Sequence, residues 1–116
     1  MYWYLTVRSD GHYSKSVPNH VLVEHLDAVP GLRRTDLAFY RAEDGLEWLD
    51  VTIAACDSAG NYAAHAGWVP PQVNMVELIC SAAGGRPAYE AARVVAAGIA
   101  DLLGWEVVDS ESGEVL

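Results

Sequence analysis

Trp3, Leu5 and Val7 fall on one side of an extended segment, and Tyr2, Tyr4, Thr6 and Arg8 on the other. This period-two alternation constrains the fold most, because a strand with one apolar face must be covered on that face by another element. Two later segments have the helical period that such a cover needs. Val21, Leu22, Leu26 and Val29 share one face of a helix predicted over about 17–29, with Ser16 as its N-cap, Pro18 in its first turn and Pro30-Gly31 ending it. Ala88, Ala91, Ala92, Val95, Ile99 and Leu102 form the stripe of a second helix over about 87–103, and Gly104 suits the position just past its end.

Between the helices the period returns to two. Leu37 and Phe39 alternate with Asp36, Ala38 and Tyr40 in a predicted strand, and Asp44-Gly45 is a hairpin signal. Leu49, Val51, Ile53 and Ala55 share one side of a strand over about 47–56. Val76, Leu78 and Cys80 do so in a strand over 73–80, and Trp105 to Val108 form a last short one. The order β-α-β-β-β-α-β predicts an α+β two-layer sandwich of the ferredoxin-like kind, with a mainly antiparallel sheet and both helices on one face. Residues 1–109 form its single domain, and 110–116 an acidic tail that frays. With 116 residues, 52% of them hydrophobic, there is material for one core and none for a second domain.

The same alternation says what faces away from the helices. Tyr2, Tyr4, Tyr40, Trp48, Met75 and Ile79 are interleaved there with Thr6, Asp50, Thr52 and Glu77. Aromatic and Met side chains beside carboxylates suit a protein interface better than a solvated sheet. The segment 57–72, the tail or a second copy in a homodimer would also cover such a face.

Charge narrows the partners. The chain carries 16 acids against 7 bases, a net charge of −9. From Arg41 to Arg86 there is no base, while Glu43, Asp44, Glu47, Asp50, Asp57 and Glu77 lie between them; after Arg93 come only acids. Nucleic-acid binding needs the opposite sign to displace counterions from phosphates, so no nucleic acid is expected. A negative field instead steers a basic protein partner.

No catalytic constellation is visible. The chain lacks a His-Glu-x-x-His helix, a Cys-x-x-Cys pair, a phosphate loop and a nucleophile elbow, so no metal, cofactor or catalytic residue is assigned. His25 points into the apolar stripe as a core histidine, and Ser81 to Arg86 is a connector. Asp50 and Glu77 are the only carboxylates that adjacent strands would bring together to share a proton on the open face, and two solvated acids is the plainer account of them. Cys56 and Cys80 are too few for a disulfide framework. The first residues lack a signal-peptide pattern and no apolar run reaches the ~20 residues of a membrane span, which together predict a cytoplasmic protein.

Val73 to Ser81, a helix, and the run Ile99-Ala100-Asp101-Leu102-Leu103-Gly104-Trp105-Glu106-Val107-Val108-Asp109 resemble the C-terminal half of small bacterial immunity proteins, those encoded beside polymorphic or type VI secreted toxins. The resemblance covers roughly 40 residues and implies a non-enzymatic cytosolic protein that binds and occludes one cognate toxin. It carries no functional motif, so it assigns no residue. From the residues themselves, the expected partner surface is Glu43, Asp44, Glu47 and Asp50 around the hairpin, with Tyr62, His65 and Trp68 in the long segment. A dimeric ferredoxin-like domain that binds or transforms a small molecule over the open face is the alternative.

Overall fold

The structure, a computed structural model, describes residues 2–42, 49–82 and 85–116. In chain order the elements are β1 (Tyr2–Arg8), β2 (Val17–Pro18), α1 (Asn19–Asp27), β3 (Leu32–Asp36), β4 (Phe39–Ala42), β5 (Leu49–Ala54), β6 (Gln72–Val73), β7 (Met75–Ser81), α2 (Gly85–Leu103) and β8 (Glu106–Asp109). Six strands form one sheet in the order β3-β4-β5-β7-β1-β8, each paired antiparallel to its neighbour, while β2 and β6 form a separate short pair. The chain is thus α+β, with two helices against a six-stranded sheet.

The alternation in the sequence becomes apolar rows across the three middle strands. Val51, Leu78 and Leu5 lie side by side in register, as do Ile53, Val76 and Val7, and all are buried. Leu22 and Leu26 of α1 join the same cluster as Ala92, Ala96 and Ile99 of α2, so both helices cover this one face. Trp3 finishes the third row beside Cys80, its ring edge-on to Tyr89 of α2 at 5.0 Å. The helices meet at Gly98, where an added Cβ would stand 3.5 Å from His25 Nε2. That is ordinary contact at a helical backbone position. Gly98→Ala is therefore expected to raise stability by about 0.5–1 kcal/mol, the entropic cost of glycine in a helix. Chemical denaturation checks it, and a loss of stability would show that the two helices cannot admit one methyl group.

Several boundaries differ from those the sequence predicts, each for a local reason. The strand expected over 36–40 is broken at Leu37-Ala38 by the turn between β3 and β4. The Asp36 carboxylate accepts the Leu37 N–H at 2.7 Å and draws the chain round. The turn shifts the phase by one residue. Tyr40 points inward, 1% exposed, with its hydroxyl donating to Asp27 at 3.0 Å, while Phe39 joins the outward row beside Thr52. The first helix starts two residues late, because Val17 and Pro18 pair with β6 instead; Ser16 does not cap it, and its hydroxyl donates to Gln72. The strand over 73–80 breaks at Asn74, and Ala55 lies beyond the end of β5. Gly104, with φ +70, does end α2, and the Trp105 N–H returns to the Ala100 carbonyl at 3.0 Å. The Asp44-Gly45 turn lies outside the described residues.

The end of the chain does not fray. Asp109 accepts the N–H groups of Glu111 and Ser112, Gly113 takes φ +74, and Val115 bridges back to Val108. No described helix is long and apolar enough to cross a membrane.

Candidate functional site

Among the described residues, the sheet face turned away from the helices is covered at one end only. Along β5, β7 and β1 its rows run Ala54–Met75–Arg8, then Thr52–Glu77–Thr6, then Asp50–Ile79–Tyr4, with Tyr2 beyond. Met75, Thr52 and Thr6 are buried although they face outward. The segment 55–71 lies over this end, and side chains hold it there. The Asn74 amide exchanges two hydrogen bonds with the Cys56 backbone, accepting at 2.8 Å and donating at 2.9 Å. Tyr62 donates its hydroxyl to Glu77 at 2.9 Å, and the Gly67 N–H reaches Asp36 across the sheet at 2.9 Å. Tyr13 closes the corner, its ring 5.4 Å from the Arg8 guanidinium.

At the other end no described segment lies over the face. Tyr2 and Tyr4 are 52% and 41% exposed, and Ile79 and Asp50 are half-buried. Two shallow hollows flank the Tyr4–Ile79 pair. One, of about 290 Å³, is lined by Tyr2, Tyr4, Ser110 and Glu111. The other, of about 320 Å³, has Thr35, Arg41, Asp50 and Ile79 among its walls. The returning tail builds the wall of the first: the Ser110 N–H donates to the Tyr4 carbonyl at 3.0 Å, and the Ser110 and Thr6 hydroxyls share a hydrogen bond at 3.0 Å.

Charge separates across the sheet. Arg33 and Arg34 on β3 and Arg41 on β4 lie at one edge; Glu106, Asp109, Glu111 and Glu114 lie at the other. Arg41 grips Asp50 with two nitrogens, at 2.8 and 3.3 Å, so the hairpin edge is partly neutralised. Of the acids at the tail edge, Glu111 lies beside Tyr2 and Tyr4, and Asp109 turns to the helix side. Asp109 accepts the Tyr89 hydroxyl at 2.8 Å; burial opposes its ionisation, yet this bond and two backbone N–H groups hold its pKa below the usual value.

The residues expected from the sequence therefore divide. Glu43, Asp44 and Glu47 lie outside the described residues, as does Trp48. Asp50 faces outward at the middle of the sheet, paired with Arg41. Tyr62 turns inward over Glu77, so it holds the cover in place. His65 and Trp68 are exposed on the covering segment and stack on each other at 5.1 Å. Asp50 and Glu77 each bond a partner of their own, Arg41 and Tyr62. Tyr2 and Tyr4 are outward as the alternation predicts, whereas Glu111 and Ser110 were not foreseen. The run Asp109-Ser110-Glu111-Ser112-Gly113 was the readable signal for that turn. Among the described residues no group of three or more His, Cys, Asp or Glu is placed to hold a metal ion. No protein-family model, curated protein or solved structure matches the chain.

Three tyrosines tie these parts together, and all are held protonated. Burial, aided by the charge of Glu77, pushes the Tyr62 phenol up; burial and the bond to Asp27 do the same for Tyr40. Burial and Asp109 raise Tyr89 from 10.0 to about 12. A phenol whose folded pKa lies above its unfolded value adds stability that is complete below the unfolded value and is lost as pH rises through the folded one. Stability is thus expected to fall above pH 10, with the phenolate absorbance of these three emerging together with loss of the circular dichroism of the fold. Their ionisation near pH 10 in an intact fold would contradict these contacts.

Proposed function

We propose that the protein is a non-enzymatic binding protein that acts in the cytoplasm, docks a basic protein on the open end of its outward sheet face and occludes it, as an immunity protein neutralises a cognate toxin. The observation that carries this reading is the pairing of exposed Tyr2 and Tyr4 with Glu111, which lines the same hollow on the outward face. Aromatic side chains give large contact area for little conformational entropy, and a carboxylate rim speeds the approach of a cation. His65 and Trp68, stacked and exposed on the covering segment, extend the same surface. We also read the strands β8-β1-β7-β5 with α1 and α2 as a ferredoxin-like arrangement, which the hairpin β3-β4 lengthens at one edge.

The test is protection. A candidate toxin domain encoded beside this gene is induced in a bacterium with and without the chain. Restored growth, with a one-to-one complex recovered after co-expression, is the expected result. Continued killing with both proteins soluble would overturn the reading.

A further inference from the structure

We infer that the hollow lined by Tyr2, Tyr4, Ser110 and Glu111 is a subsite for one arginine side chain of the partner. This deepens the binding reading above and rests on it for the source of the arginine.

The geometry begins with strand spacing. Tyr2 and Tyr4 stand two residues apart on β1, so their side chains leave the same face about 6.6–6.8 Å apart. A planar group between them meets each ring near the ~3.5 Å of van der Waals contact. The guanidinium is such a group: it is flat, weakly hydrated and attracted to the faces of aromatic rings. An ammonium is compact and strongly hydrated, and offers no flat face to an aromatic ring.

The tail supplies the countercharge. Its position is set by Ser110, bonded to the Tyr4 carbonyl and to the Thr6 hydroxyl, and by Asp109, which accepts the Glu111 and Ser112 N–H groups. Glu111 follows immediately at the rim of the hollow. A carboxylate there can receive two N–H groups of a guanidinium lying across the rings. The hollow therefore lies between β1 and the returning tail, with Tyr2 and Tyr4 on one side and Ser110 and Glu111 on the other. A volume of about 290 Å³ has room for a whole arginine side chain.

The probe is N-acetyl-arginine methylamide, titrated into the isotopically labelled full chain and followed by NMR. Saturable shifts of the Tyr2 and Tyr4 ring signals and of the Ser110 and Glu111 amides are expected. The uncharged citrulline analogue is expected to bind at least about tenfold more weakly, and Tyr4→Ala and Glu111→Gln each to weaken the arginine probe about fivefold to tenfold. Tyr4→Phe keeps the ring and is expected to keep the binding. Equal binding of citrulline or of N-acetyl-lysine methylamide, or small shifts spread over all acidic positions, would overturn the subsite. Protection from a toxin without an arginine subsite removes this inference alone. An arginine subsite without protection removes the toxin reading and leaves the subsite standing.

Discussion

Asn74→Ala is expected to lower stability by about 2–3 kcal/mol, more than the loss of a surface amide would cost. The side chain replaces a missing strand partner. It bonds both the N–H and the carbonyl of Cys56 and reaches toward the Tyr13 carbonyl at 3.4 Å. Removing it leaves two part-buried backbone groups without their partners, at ~1 kcal/mol or more each. The effect is also local. Cys56 opens the segment that covers the Met75–Glu77 end of the sheet, so Asn74→Ala should speed hydrogen exchange at Ala54 and Asp57 more than in α2. Denaturant unfolding with exchange mass spectrometry reads both quantities. A change below 0.5 kcal/mol, on the scale of an ordinary surface substitution, would show that the covering segment does not depend on this amide.

Tyr4→Lys is expected to weaken binding of a basic partner by about a hundredfold or more and to leave the fold unchanged. Tyr4 is 41% exposed on the side of β1 away from the core, so a lysine there finds water without disturbing a packed row. At the interface it replaces a ring with a like charge. That exchanges an attractive contact for repulsion in a desolvated patch, worth ~3 kcal/mol or more. Val94→Lys is the matched control. Val94 is 72% exposed on α2, on the opposite side of the molecule, and the same charge there should alter affinity less than about threefold. Equal losses in both variants would mean that net charge alone governs binding.

The fold is most legible in the sequence where burial repeats at a fixed period. The inward rows of β1, β5 and β7 followed from alternation, because a one-residue slip would put every apolar side chain in water. The length and stop of α2 followed from its alanine stripe and Gly104. The misreadings cluster where one side chain overrules the period. Asp36, through a bond to its own neighbour, turned an expected strand into a hairpin and moved Tyr40 from the outer face to the core. Val17 and Pro18 left the helix because Gln72 and Val73, far along the chain, offered them a partner.

The candidate site was less readable, for the same physical reason. Alternation placed Tyr2 and Tyr4 outward, but it carries no information about what covers an outer face. The closing bonds, Tyr62 to Glu77 and Gly67 to Asp36, join residues 15 and 31 positions apart. The acidic wall beside the tyrosines depends on a turn at Asp109 that composition alone reads as a solvated tail.

The central claim is that the open end of the outward sheet face is where a basic protein docks. The most direct measurement is the footprint of the co-expressed toxin domain on the labelled chain, by amide and aromatic NMR. Perturbation centred on Tyr2, Tyr4, Ile79 and Glu111, with α1 and α2 unchanged, is the predicted result. A footprint on the outer surface of α2, around Val94 and Leu102, with the tyrosines untouched, would contradict it.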